Sequence, residues 1–386
     1  MVAPKLRFRE FSGEWDHKLL GSVTSKIGSG STPKGGSQVY LDLGIPFIRS
    51  QNVNNDKLLL NELVFISSDT DKKMKGSRVK PGDILLNITG ASIGRSCVVP
   101  ESFDKGNVNQ HVCIIRLSNG KPRFYQNYLS SQKGQKLIEL SQSGSGREGL
   151  NFENIRKFKI ASPTIQEQAK IADFLSSVDE KIALQTKQYE LLCHYKKGVM
   201  QRIFSQELRF KDENGEEFAE WIYISLDNMA TITKGKAISS ANIIDGPYPV
   251  IAGGKSSPYS HNDFTHENII TVSASGAYAG FVSIHNQKIW ASDCCVIKPI
   301  EKNILSFLYQ QLIHIQINIY SLQTGGAQPH IYPKDLCIIT VACPTDKEQT
   351  KIADFLTAID DKIAATKKQL EQLKQWKQGL LQQMFI

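Results

Sequence analysis

The sequence predicts an α+β protein in which two α/β heads are separated by two long helices, paired as an antiparallel coiled coil about a pseudo-twofold. Three observations predict it. The stretch from Pro163 to Phe204 recurs without a gap from Pro344 to Phe385, an offset of 181 residues, with about half of the paired positions identical. Within each copy, apolar residues fall at alternating steps of four and three, the spacing of a helical seam. The more variable segments ahead of the copies share landmarks in the same order. The chain therefore divides into a head at 1–162, a helix at 163–204, a second head at 205–343 and a closing helix at 344–386.

Each head opens on a related lead-in, PKLRFREFSGEW (Pro4 to Trp15) and QELRFKDENGEEFAEW (Gln206 to Trp221). Inside, GDILLNITGASIG (Gly82 to Gly94) is matched by NIITVSASGAYAG (Asn268 to Gly280), a β-branched strand that enters a turn of form [ST]-G-A-x-x-G. A second strand follows, HVCIIRL (His111 to Leu117) against DCCVIKP (Asp293 to Pro299). A helix is expected in each head, over Phe124 to Gln142 and over Leu305 to Tyr320. Gly-rich turns, QSGSGREG (Gln142 to Gly149) and LQTGGAQPH (Leu322 to His330), lead out of the heads.

Each repeated helix starts with Pro-Thr and a Glu three residues after the Thr, Thr164 with Glu167 and Thr345 with Glu348, which reads as a capping box. The seam comprises Ile171, Leu175, Val178, Ile182, Tyr189, Leu192, Val199 and Ile203, matched by Ile352, Leu356, Ile359, Ile363, Leu370, Leu373, Leu380 and Met384. Four seam positions are polar, Gln185, Lys196, Thr366 and Lys377, which weakens packing but can fix register. Gly198 and Gly379 are expected to mark fraying or close packing. At 1.5 Å per residue a helix of about 40 residues is about 60 Å long, so one copy is the natural partner of the other.

Composition narrows the function classes. The 386 residues are 40% hydrophobic, ordinary for a globular protein. Seven cysteines form no CxxC pair, and the His residues, including His111, His261, His266 and His330, lack metal-ligand spacing. With no signal-like start and no run of about eighteen uncharged apolar residues, the expected location is cytoplasmic, without a membrane partner. The net charge is +8 but uneven: residues 1–162 hold 24 Lys+Arg against 14 Asp+Glu, and residues 205–343 hold 9 against 13. A polyanion would meet a basic first head, and in the second only a local basic stripe.

The segments EQAKIADFL (Glu167 to Leu175) and EQTKIADFL (Glu348 to Leu356) are each followed by D-x-K-I, at Asp179 to Ile182 and Asp360 to Ile363. With the LRF…W lead-ins, IPFIRSQNV (Ile45 to Val53) and GDILLNITGASIGR (Gly82 to Arg95), the whole chain resembles the specificity (S) subunits of type I restriction-modification systems. The resemblance implies two target-recognition domains, each reading one half of a split double-stranded DNA site, and helices that space them and dock two adenine methyltransferase (M) subunits. Restriction and translocation (R) subunits would join indirectly. The chain itself would catalyse nothing and bind no cofactor; methyl donor, ATP and magnesium would belong to the partners. The residues agree: no NPPY-like loop, no P-loop ending in Lys-Ser/Thr and no acidic nuclease pattern is found. The alternatives are a specificity chain of another restriction class, which the neighbouring gene would reveal, and a coiled-coil adaptor without nucleic-acid contact, which a pulldown on random DNA would separate.

Reading DNA takes Arg or Lys against guanine, Asn or Gln against adenine, and small polar groups against phosphate. Loops supply these in the first head at Ser31, Thr32, Lys34, Arg49, Gln51, Asn52, Thr89, Ser92, Arg95, Asn109, Gln110 and Arg147. In the second head they are Lys234, Lys236, Lys255, Ser256, Ser275, Tyr278, Gln328 and His330. Heads in the major groove at two half-sites, with a helical spacer setting the gap, would give a bipartite and asymmetric recognition sequence.

Overall fold

The computed structural model describes residues 3–54, 56–142, 149–255, 257, 259–300 and 305–386. Two long helices run through Ile165–Phe204 and Asp346–Met384. The chain forms two compact units, one of Met1–Thr186 with Gln369–Ile386 and the other of Lys187–Lys368, so each unit holds one head, the start of one long helix and the end of the other. Among the described residues no helix is long and apolar enough to cross a membrane.

In the first unit the main sheet is antiparallel, in the order Thr24–Ser29, Val112–Leu117, Ile84–Asn87, Ser96–Val98. Its central strands are apolar on both faces because both are covered: Ile84, Leu86, Cys113 and Ile115 join the helix-side core, and Leu85, Val112 and Ile114 face a smaller core. That smaller core sits beneath a mixed sheet in which Ile45–Ile48 pairs parallel with Gly106–Val108. The second unit repeats the plan: Ala230–Lys234, Cys294–Pro299, Ile269–Ser273, Val282–His285 in the main sheet, and Tyr248–Ile251 parallel with Trp290–Ala291 beside it. Each head also closes on a two-stranded pair that leads into its long helix, Asp16–Leu19 with Lys159–Ser162 and Ile222–Ser225 with Thr340–Cys343.

The helix expected over Phe124 to Gln142 is two helices, Pro122–Ser130 and Gln132–Leu140. Ser131 turns away from helical geometry at ψ 161° and its hydroxyl accepts from Gly134 N, so it caps the second helix and ends the first. A Cβ on Gly134 would lie 2.1 Å from the Tyr128 carbonyl oxygen, which is why the bend needs glycine. The counterpart is likewise split into Leu305–His314 and Gln316–Ser321.

The capping boxes do not form. Glu167 N does donate to Thr164 Oγ1 at 3.4 Å, but the Glu167 carboxylate is spent on Arg7, at 2.7 and 2.8 Å, and on Trp15 Nε1 at 3.3 Å. In the second unit Glu348 takes Arg209 at 3.1 and 2.8 Å and Trp221 Nε1 at 2.8 Å. A buried carboxylate needs a full charge partner more than a backbone N–H does, and the lead-in supplies one. The Arg and Trp of each lead-in are thereby clamped to the start of a long helix. The neighbouring Gln168 and Gln349 donate back to the carbonyls of Pro163 and Pro344, at 3.0 and 2.8 Å.

The expected seam is buried mainly where the helices enter the heads. In the first unit Ile171, Leu175 and Val178 share a core with Leu380, Leu381, Met384 and Phe385 and with Phe124 and Tyr128 of the head. In the second, Val199, Met200 and Ile203 do the same with Ile352, Leu356, Ile359, Phe307 and Leu308. Each such side chain contributes about 1.5–3 kcal/mol, so head and helix ends form one hydrophobic body rather than a head beside a free coiled coil. Ile182 and Ile363 flank these cores, and Leu192 and Leu373 are half-buried. In the first unit the segments run antiparallel: Phe174 meets Trp376 edge-on, Asp179 meets Lys377, and Gln185 meets Gln369. Gly198 and Gly379 mark neither fraying nor close packing. Both helices continue past them, and a Cβ at either would meet nothing within 4 Å.

Candidate nucleic-acid interface

The same turn appears at the same end of both main sheets. Thr89 (φ −145°, ψ 154°) leads into a short 3-10 turn at Gly90–Ser92, and Ser275 (φ −145°, ψ 166°) leads into Gly276–Tyr278. Gly90 and Gly276 stand at φ +74° and +79°, Gly94 and Gly280 at +87° and +90°, a left-handed backbone that glycine adopts without cost from a Cβ. One glutamine holds each turn from behind: Gln135 Nε2 donates to Gly94 O at 3.1 Å, and Gln316 Nε2 to Gly280 O at 2.7 Å. These two glutamines are 181 residues apart, the offset of the long helices, while the turns they hold are 186 apart.

Around the first turn the structure gathers several of the sequence candidates. Thr89 Oγ1 and His111 Nδ1 are 2.6 Å apart, His111 Nε2 and Gln110 Nε2 are 3.1 Å apart, and the Thr32 hydroxyl donates to Gln110 Oε1. Ser92 Oγ accepts from Asn87 Nδ2 at 3.2 Å, and the same amide donates to Ser50 O at 2.9 Å, which ties the turn to the loop bearing Arg49 and Gln51. Ser31, Lys34, Gln51, Arg95 and Gln110 are exposed. The Arg49 guanidinium lies 5.9 Å from the Tyr40 ring centroid, with a buried Nε that has no hydrogen-bond partner among the described residues.

Two candidates are framework instead. Asn52 is 1% exposed; its Oδ1 accepts from Arg49 N at 2.9 Å and its Nδ2 donates to the carbonyls of Leu59 and Glu62. Asn109 is 7% exposed, and its Oδ1 accepts from His111 N at 3.1 Å. Both are buried, so the amide of Asn52, spent on backbone groups at both ends, and that of Asn109, held at its oxygen, are not presented at the surface. Arg147 and Ser256 lie outside the described residues.

The second face solves a different electrostatic problem. Residues 205–343 hold only 9 Lys+Arg; Arg209 of the lead-in lies over Trp221, and five lysines, Lys234, Lys236, Lys255, Lys288 and Lys334, lie over other aromatic rings. Lys236 sits 5.0 Å from the Trp290 centroid, and Lys255 lies 5.1 Å from Tyr278 and 5.4 Å from Phe281. Lys234 and Lys334 share Tyr332, on which the His330 ring stacks at 6.2 Å. Each exposed pair contributes about 0.5–1 kcal/mol and restricts a long side chain, so the few cations of an acidic head are held in place. Ser275 donates to Asp293 Oδ2, and Gln328 is exposed nearby in sequence to His330. The sequence reading passed over Asp293, Trp290, Tyr332 and Tyr40. The match of HVCIIRL with DCCVIKP already sets Asp293 opposite His111, and that was the signal for it.

Ion pairs, buried in the first unit and half-buried in the second, anchor these faces to the long helices. In the first unit Lys377, 9% exposed, donates to Asp179 at 2.6 Å and to Asp56 at 2.8 Å, and Asp56 also accepts from Gln126 and Ser130. Burial pushes the Asp56 carboxyl up, but Lys377, Ser130 and Gln126 outweigh it and hold the group below its ordinary value. Burial pulls the Lys377 ammonium down, yet the two carboxylates leave it above its usual range. In the second unit Lys196 donates to both oxygens of Asp360 at 2.7 Å, joined by Gln310 at 2.7 Å. Two of the polar seam residues are therefore charge partners of the D-x-K-I aspartates, an arrangement that fixes register.

Comparison with known proteins agrees with this duplicated plan. The model for the type I restriction modification DNA specificity domain matches residues 12–193 and again 219–375. The chain is 26% identical to the putative type I restriction enzyme MjaX specificity subunit of Methanocaldococcus jannaschii, across 98% of this chain and 94% of that one. It is 34% identical to the EcoBI specificity subunit of Escherichia coli over 132 residues, 33% of this chain and 27% of that one. In fold it matches the S subunit of a type I restriction-modification system from M. genitalium with a TM-score of 0.68 at 17% identity, covering 100% of this chain and 99% of the other.

Proposed function

Because the chain belongs to the type I restriction-modification DNA specificity family, whose specificity subunits are non-catalytic, we propose that each of its heads reads one half of a bipartite, asymmetric DNA sequence. The observation that carries the reading is the repeated turn: one backbone frame, held by Gln135 or Gln316, displays Thr89, Ser92 and His111 in one head and Ser275, Tyr278 and Asp293 in the other. Equal frames with unequal side chains suit two heads that do one task on two sequences. Exposed Arg95, Gln51 and Gln110 in the first head, and the ring-backed lysines in the second, supply base-edge and phosphate contacts.

The long helices then set the number of unread base pairs, and adenine methyltransferase subunits, two per chain, dock on them. Leu191 and Tyr195, 57% and 54% exposed, lie four residues apart on the part of the first long helix that belongs to the second unit and give such a partner an apolar surface. Methyl donor, ATP and magnesium act on those partners and on the restriction subunits that join through them. Mapping methylated adenines in genomes of cells with and without this chain tests the proposal. The expected result is a two-part motif that disappears with the chain; a motif that persists would overturn it. Inserting one helical turn after both Lys187 and Lys368 is expected to lengthen the gap and keep both half-sites, and altered half-sites would refute the spacer role.

A further inference from the structure

Immediately before the central strand of each main sheet, one position carries His111 in the first head and Asp293 in the second. The two backbones do the same work there: Ile88 N donates to His111 O at 3.0 Å, and Ala274 N to Asp293 O at 3.2 Å. Each side chain is bonded to the hydroxyl that opens the turn, Thr89 or Ser275. The surroundings differ. His111 has both ring nitrogens engaged, by Thr89 and Gln110, in a chain that runs on to Thr32. Asp293 is exposed and faces Gly253, where an added Cβ would come within 3.2 Å of its Oδ2. Its Oδ1 has no hydrogen-bond partner among the described residues.

We propose that this position determines which base is accepted in each half-site, with Asp293 contacting a base directly and His111 positioning Gln110 for the same purpose. The inference rests on the DNA-reading role proposed above. A carboxylate accepts hydrogen bonds and donates none, and like charge excludes a phosphate as its partner. On the base edges of the major groove the donors are the amino groups of cytosine N4 and adenine N6, so Asp293 selects a base with an exposed amino group and opposes the carbonyl edge of guanine or thymine. In the first head the Gln110 amide is fixed at both ends, its Oε1 by Thr32 and its Nε2 by His111. That fixes which edge it offers and favours adenine, whose N6 and N7 pair with an amide.

The test is the methylated motif of native cells whose only copy of the chain carries Asp293→Asn. Asparagine keeps the shape and a partner for Ser275 but adds a donor. Expected is a change of about tenfold or more in base preference at one position of the second head's half-site, the size of one bidentate base contact. The first head's half-site and the gap stay as they were. An unchanged motif, or an equal loss at every site, overturns the inference. A parallel measurement of purified Lys255→Ala on random-sequence DNA separates the two levels. If Lys255→Ala weakens binding while Asp293→Asn leaves the motif intact, the specificity role alone falls. If neither variant alters binding or motif, the reading face itself is misplaced.

Discussion

Replacing Glu348 with glutamine tests whether the lead-in clamp holds each unit together. The Glu348 side chain is 0% exposed and Arg209 is 21% exposed. Three N–H groups converge on the carboxylate, at 3.1, 2.8 and 2.8 Å. Glutamine keeps the shape but only one acceptor oxygen, turns an amide donor either toward Arg209 Nε or toward both Arg209 Nη2 and Trp221 Nε1, and removes the charge that balances the guanidinium. Losing two charge-assisted bonds of about 1.5–3 kcal/mol each suggests about 3–6 kcal/mol, and breaking a buried pair costs about 3–5. Because Arg209 keeps some access to solvent, about 3 kcal/mol is the working figure. For a unit of this size that corresponds to about 6–12 °C in Tm. Urea unfolding followed by tryptophan fluorescence is a direct assay, since Trp221 bonds to the same carboxylate. Glu167→Gln is expected to cost somewhat less, because its Trp15 bond is longer at 3.3 Å. A double-mutant cycle with Arg209→Met completes the measurement. Losses below about 1 kcal/mol in both units, with no coupling in the cycle, would show that the clamp is incidental.

Two further outcomes concern stability alone. Burial pushes His285, bonded to Thr271 Oγ1 at 2.9 Å, down to about 4, so the unfolded chain takes up that proton first as pH falls. Stability is then complete above pH 6.5 and declines through the window down to about 4, by at most about 3 kcal/mol; His285→Gln should flatten this decline in urea midpoints measured across the range, and an unaltered pH profile would contradict it. Gly198→Ala and Gly379→Ala should each stabilise the chain by about 1 kcal/mol in thermal melts, because the added methyl meets nothing within 4 Å in a helix interior; a loss of stability would mean that the helix is strained there.

The repeat made the long helices, the two central strands of each head and the [ST]-G-A-x-x-G turn legible, because periodicity and glycine position reflect backbone geometry directly. What stayed hidden depended on partners distant in sequence. Thr-x-x-Glu at a helix start is the same string whether the Glu caps the helix or clamps Arg7 from 160 residues away. Asn52 and Asn109 look like base-reading amides, since loop asparagines serve backbone carbonyls and adenine edges with the same atoms. Asp293 was hidden for another reason: a search for cations and amides to meet a polyanion discards a carboxylate before its neighbours are known.

The division of labour within each head explains how the two could diverge without losing the fold. Framework bonds run through groups set back from the proposed reading edge: Gln135 and Gln316 on the turns, Arg7 with Glu167 and Arg209 with Glu348 on the lead-ins, Lys377 and Lys196 on the helices. Apart from Thr89 and Ser275, the groups that reach the surface at the strand ends carry few of these bonds. Substituting them changes what a head presents and leaves its frame intact. The charge difference fits the same logic, because the first head has cations in excess while the second fixes a few over aromatic rings. A head with fewer, better placed cations should release fewer counterions on binding and rely more on directed contacts. The second half-site should therefore hold its preference at salt concentrations that loosen the first.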